Sequence, residues 1–196
     1  SMSRCTFAGN QYHIDFFSSQ NTSNYYFPTV IDTNKYNKCM SKIKYTSFTV
    51  VWIGTPSTSV YLKEIEKELQ ILNTEHNVNF VFIGFDNIKL NNIKYKKISW
   101  NEETEIQEIS KCHVGIMPLS IDKWVLGKCA YKILQYMACE LPVVATSVGV
   151  NKIIIKNDHN GFLVNDNKDW VNKILKLKND LKLYNKIALN GFNTVK

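Results

Sequence analysis

The sequence lacks most of the patterns by which a short chain declares its chemistry. Its five cysteines (Cys5, Cys39, Cys112, Cys129, Cys139) are odd in number and include no Cys-x-x-Cys pair. That argues against a disulfide framework or a zinc site and reads as reduced thiols of a cytoplasmic protein. The four histidines (His13, His76, His113, His159) stand in no metal-ligand spacing, so no metal is expected. No apolar run approaches the roughly 20 residues of a membrane span, and no signal peptide opens the chain. Neither a Gly-x-Gly-x-x-Gly fingerprint nor a Walker loop occurs. No Ser/His/Asp or Cys/His set can be assembled, and no carboxylate pair stands out in the loops. Repeats and low-complexity stretches are also absent. Ser1-Met2 reads as a cloning remnant ahead of a start that lies mid-fold. Asn21-Thr22-Ser23 is a formal glycosylation sequon, of little meaning in the cytosol.

What is present is the composition of a folded domain. Of 196 residues, 44% are hydrophobic and 12% aromatic, enough for a sizeable core and against global disorder. The net charge is +7, but the lysines are scattered singly. Nucleic-acid binders usually show a clustered basic face, so nucleic acid is not expected as a partner. Phosphorylated ligands, and peripheral contact with an anionic membrane, remain compatible with the charge.

Hydrophobic patterning gives the architecture. Residues 5 to 18 read as a strand end, a Gly9-Asn10 turn and a short helix. Tyr25 to Phe27 reads as a strand that Pro28 closes, and Asp32 has helix-start character. The composition turns polar and basic from Lys35 to Tyr45, which places a boundary between a remnant at 1–36 and a domain at 37–196. Beyond it, Phe48–Ile53, Asn79–Gly84, Val114–Pro118, Pro142–Thr146 and Gly161–Val164 are short apolar runs, as parallel strands covered on both faces require, and Tyr95–Ile98 reads as a further, shorter strand. Helical periodicity lies between them: Val60 to Leu72, Asn101 to Lys111, the stretch after Gly127, Val150 to Ile155, and Asp166 to about Leu183. Glu102, Glu103 and Glu105 suit the first turns of the second. This alternation implies a doubly wound parallel α/β sheet, a Rossmann-like architecture that binds ligands beyond the strands' carboxyl ends.

Three strand-end loops carry candidate chemistry. Gly127 to Gly149 reads as glycine, helix, strand and glycine turn. Ala130, Ile133, Leu134, Met137 and Ala138 form its buried face, and Lys128, Lys132 and Gln135 another. Two lysines near a helix N-terminus suit an anion, although a solvated lysine face fits the local pattern as well. Gly54-Thr-Pro-Ser-Thr58 offers hydroxyls and amides to a phosphate, or ordinary capping by Ser57 or Thr58. Pro118 to Gly127 is a ten-residue loop holding Asp122, Lys123 and Trp124, the last of which could instead cover apolar surface. Gly149 could bring backbone amides near a ligand or simply turn the chain.

Taken in order, these motifs resemble the C-terminal, donor-binding domain of GT-B glycosyltransferases, in the retaining family 4 (glycosyltransferase group 1). Three motifs carry the resemblance: Val51-Trp-Ile-Gly-Thr-Pro-Ser-Thr-Ser-Val-Tyr-Leu62, Gly127-Lys-Cys-x-Tyr-Lys-x-Leu-Gln-Tyr-Met-Ala with Leu-Pro-Val-Val-Ala, and Gly161-Phe-Leu-Val164. It implies a nucleotide-diphospho-sugar donor, held by Gly54, Thr55, Ser57, Thr58, Trp100, Pro118, Leu119, Gly127, Lys128, Tyr131, Lys132 and Gln135. It implies no cofactor or metal. The family's Glu-x7-Glu pair would fall on Gly127 and Gln135, so both carboxylates are absent, and the Arg and Lys that often follow the first strand are missing too. Lys128 and Lys132 are therefore expected to stabilise the leaving phosphate. The acceptor, a polysaccharide or glycolipid precursor, and the usual catalytic His would belong to an N-terminal domain of which 1–36 is the remnant. The fragment is then expected to bind donor without transferring sugar. The setting would be bacterial and cytoplasmic, at the inner face of the membrane. A catalytically degenerate nucleotide- or partner-binding module and a UDP-sugar 2-epimerase-like enzyme are the alternative readings.

Overall fold

The computed structural model describes residues 4–18 and 23–196; Ser1-Met2 and the sequon residues Asn21 and Thr22 lie outside the described residues. The chain opens with β1 (Cys5–Ala8), α1 (Gln11–Ser18) and β2 (Ser23–Tyr26), the two strands pairing in parallel as a ribbon apart from the main sheet. Asn10 begins α1, its Oδ1 accepting the His13 N–H at 2.9 Å. Asp32 caps α2 (Thr33–Cys39) by accepting the N–H groups of Asn34 and Lys35. The division expected between residues 36 and 37 falls inside this helix, whose Tyr36 is buried in the core that follows.

The main sheet contains β3 (Thr49–Ile53), β4 (Asn79–Ile83), β5 (Tyr95–Ile98), β6 (Val114–Met117), β7 (Val143–Thr146) and β8 (Phe162–Val164). All are parallel, in the order β5-β4-β3-β6-β7-β8. The chain runs outward from β3 to β5, then returns to the middle and runs outward the other way. The strand order therefore reverses between β3 and β6, the place where such sheets open a crevice for a ligand. Successive residues of β3 serve opposite faces, as strand geometry dictates. Val51 and Ile53 pack with Ile106, Ile109, Ile133 and Tyr136, while Val50 and Trp52 pack with Leu62, Leu69, Trp170 and Ile174.

The connecting helices are α3 (Val60–Glu64), α4 (Glu66–Thr74), α5 (Glu105–Ser110), α6 (Lys123–Leu126), α7 (Tyr131–Ala138) and α8 (Asn151–Ile154), followed by α9 (Lys168–Asn179) and α10 (Leu181–Val195). Several differ from the sequence pattern, and Lys123–Leu126 is a turn of helix inside the stretch read as a ten-residue loop. The run from Val60 to Leu72 breaks at Ile65, although Leu62, Ile65, Leu69 and Leu72 are all buried as their spacing requires. The helix expected from Asn101 begins only at Glu105, because Asn101 heads a turn in which its side chain accepts the Glu103 N–H. The final stretch, expected to run to about Leu183, stops at Asn179: Asp180 adopts an extended backbone and accepts the Leu183 N–H to start α10, leaving Leu181 exposed. Among the described residues, no helix is long and apolar enough to cross a membrane.

Candidate functional site

The site is built around α7. Its inward face is apolar as the spacing predicts, with Ile133, Leu134, Met137 and Ala138 buried. Tyr136 fixes the helix against the sheet: its hydroxyl accepts the Ile53 N–H at 3.0 Å and donates to the Ile116 carbonyl at 3.2 Å. Gly115 makes room for the ring, since a Cβ there would lie 2.2 Å from it. The helix begins later than the pattern suggests. Ala130 takes a left-handed conformation (φ 56°), so Lys128 belongs to the preceding turn and does not share a helical face with Lys132 and Gln135. No side chain caps the start of α7. The Ile133 N–H donates to the Ala130 carbonyl at 2.9 Å, which leaves the N–H groups of Tyr131 and Lys132 for water or a ligand at the positive end of the helix dipole.

A cleft of about 850 Å³ opens at the strand-order reversal, a volume within the roughly 300–1,000 Å³ usual for small-molecule sites. The ends of β3 and β4 form its floor. Gly84 has φ +68° and packs so closely that a Cβ would lie 2.1 Å from the Gly54 carbonyl oxygen. From the expected donor set, Gly54, Thr55, Thr58, Trp100 and Leu119 line the cleft, as do Lys128, Tyr131, Lys132 and Gln135. Ser57, Pro118 and Gly127 do not line it. Pro118 borders a smaller hollow beside Glu64, and Gly127 faces α1, where His13 Nε2 stands 2.9 Å from the place a Cβ would take. The hydroxyls after β3 are partly spent on one another. Thr58 Oγ1 accepts the Thr55 N–H at 3.0 Å, and Thr55 Oγ1 lies 3.0 Å from Ser57 Oγ, around a short 3-10 turn at Pro56–Thr58. Trp124 in the loop after β6 is 78% exposed and covers no core.

Two of the cleft's three lysines sit against aromatic rings, the third, Lys35, being paired with Glu102. Lys132 Nζ lies 4.6 Å from the centre of the Trp52 ring, and Lys128 Nζ 5.4 Å from that of Tyr61. Among the described residues neither ammonium takes part in a salt bridge. Burial, with repulsion from Lys128 added, pushes the Lys132 amine down to about 7. Two cations beside an uncapped helix start, neither in a salt bridge and with the Asp122 carboxylate near enough only to feel the charge of Lys128, form a receptor for a multiply charged anion.

Around Glu105 the cleft holds groups that the sequence did not reveal as site residues. Glu105 is 9% exposed rather than solvated at the start of its helix. Its Oε2 accepts the Trp100 Nε1–H at 2.7 Å, and its Oε1 accepts from Gln135 Nε2 at 3.3 Å. Tyr36 also lines this part, with Gln135 beside it. Its buried hydroxyl has no partner in hydrogen-bond geometry. A sequence signal for Glu105 did exist: it stands four residues before the buried Ile109, on the apolar side of α5. Among the described residues, no group of three His, Cys, Asp or Glu is placed to hold a metal ion.

Comparison with known proteins followed from this geometry. The family model described as glycosyl transferases group 1 matches residues 47–180. No curated protein matches the chain in sequence. Among solved structures, HepE of Anabaena in complex with UDP-glucose superposes with a TM-score of 0.76 at 15% identity, over 98% of this chain and 59% of that one. S. aureus TarM gives a TM-score of 0.75 at 15% identity, over 96% of this chain and 39% of that one. The C-terminal domain of a glycosyl transferase group 1 family protein, LpcC of Francisella tularensis, gives 0.56 at 19% identity, over 86% of this chain and 93% of that one. The chain thus spans about 39% and 59% of the lengths of TarM and HepE, and nearly all of the isolated C-terminal domain.

Proposed function

This chain belongs to the glycosyl transferases group 1 family, and from that premise we propose that its cleft binds a nucleotide-diphospho-sugar. The observation that carries the proposal is the pair Lys128 and Lys132, standing without salt-bridge partners at an uncapped helix start where the sheet order reverses. In the intact protein these residues would stabilise the charge that develops on the departing diphosphate, a term that is often the largest in catalysis. Transfer of a hexosyl-type sugar with retention, to a polysaccharide or glycolipid acceptor at the inner face of a membrane, completes the reading. The acceptor and the remaining catalytic groups would come from an N-terminal domain of which residues 1–36 are a part. No metal or cofactor enters this scheme.

Titration calorimetry of the chain with UDP and UDP-glucose tests it. The double variant K128A/K132A should lose measurable binding that the parent shows, and unchanged affinity would overturn the assignment. A second reading, a module that binds donor without transferring it, is favoured by Gly127 and Gln135, which stand where the family resemblance leads one to expect carboxylates. Turnover of a nucleotide sugar by the full-length protein separates the two.

A further inference from the structure

The part of the cleft around Glu105, where Lys35 is paired with Glu102, has a chemistry of its own. We infer that Glu105 is a specificity-determining residue that accepts hydrogen bonds from a vicinal diol of the bound nucleotide sugar. Its carboxylate is fixed from two sides by the Trp100 indole N–H and the Gln135 amide, one donor on each oxygen. Each oxygen of a carboxylate has room for another donor, so one remains on each. A pair of acceptors at carboxylate spacing matches adjacent hydroxyls. A cationic ligand group would also suit Glu105, but the rest of such a ligand would have to lie against Lys128 and Lys132.

The Tyr36 hydroxyl is buried beside Gln135 without completing a hydrogen bond, a costly and uncommon state that a small reorientation of the Gln135 amide would relieve. The inference rests on the diphosphate-binding reading above. The diol could belong to the ribose or to the transferred sugar, and both present the same donors.

The test is calorimetry of the chain and its E105Q variant with UDP, 2′,3′-dideoxy-UDP and UDP-glucose. If the ribose is read, E105Q weakens UDP about 10–100-fold, as expected for hydrogen bonds to a charged group. The dideoxy compound then binds the parent chain weakly, and E105Q alters it less than about 3-fold on the same scale. If the sugar is read, UDP and dideoxy-UDP bind alike and E105Q weakens UDP-glucose selectively. Equal weakening of all three ligands by E105Q means a merely structural residue and overturns the inference, as does no weakening at all. The comparison of UDP with dideoxy-UDP on the parent chain holds even if E105Q folds poorly. Binding of both UDP and UDP-glucose that is lost in K128A/K132A but indifferent to E105Q sinks this inference alone. Absence of any UDP or UDP-glucose binding sinks both.

Discussion

Lys132 carries an amine whose charge depends on what fills the cleft. Burial holds it at about 7 when the cleft is empty, so near neutral pH a large share of molecules are uncharged there. A diphosphate beside it favours the ammonium and raises its pKa, so binding takes up a proton. Because the free amine titrates near 7, affinity for UDP should fall as pH rises from 6.5 to 8.5, by up to about tenfold per unit above 7. Calorimetry in buffers of different ionisation enthalpy measures the proton directly. A Lys132→Arg variant, charged throughout, should bind without the uptake. This behaviour was not legible in the sequence. A lysine one turn from a glycine reads equally as a surface residue, and the Trp52 ring beneath it comes from a strand eighty residues earlier.

At the scale of elements, α7 shows which parts of a sequence pattern survive folding. Its buried face was readable because a 3.6-residue period constrains many side chains at once. Its start was not, because left-handed Ala130 is a local backbone state that periodicity does not encode. Glu105 was misread for a related reason: acids in a first helical turn normally face solvent, and this one is turned inward by Trp100 and Gln135. The helix end offers a clear test. Glu140 has φ 55°, with its N–H donating to Met137 and that of Leu141 to Tyr136, the two-bond termination that usually places glycine at this position. A side chain in the left-handed region costs about 1–2 kcal/mol. Glu140→Gly should therefore stabilise the protein by about 1 kcal/mol once the added freedom of the unfolded chain is subtracted, raising Tm by about 2–4 °C. A thermal melt that shows a lower Tm would refute this account of the helix end.

For the whole molecule, a doubly wound parallel sheet followed from the alternation of strands and helices, whereas the strand order, which long-range pairing sets, and the link between the first ribbon and the cleft did not. The acid limb of stability is set where the sheet begins. His113 Nδ1 accepts the Thr49 N–H at 3.1 Å, and burial, with Lys44 adding repulsion, pushes its imidazole down to about 4. The folded state binds this proton less readily than the unfolded chain, whose histidine titrates near 6.5. The contribution is therefore complete above about pH 6.5 and is lost as pH falls toward 4. Melting temperatures between pH 7 and 4 should decline less steeply in His113→Asn, which keeps an acceptor for Thr49 but cannot take the proton. An identical slope would refute the assignment. The ribbon's connection to the cleft lies in Asn10, whose side-chain amide reaches the carbonyls of Leu126 and Lys128 at 3.2 and 3.4 Å. Asn10 is itself nearly inaccessible, so these bonds are sheltered from water. They act as a tether: a pull on α1 and the ribbon would reach the backbone beside Lys128 without passing through the sheet, so the proposed grip on a diphosphate would feel mechanical load on the first segment.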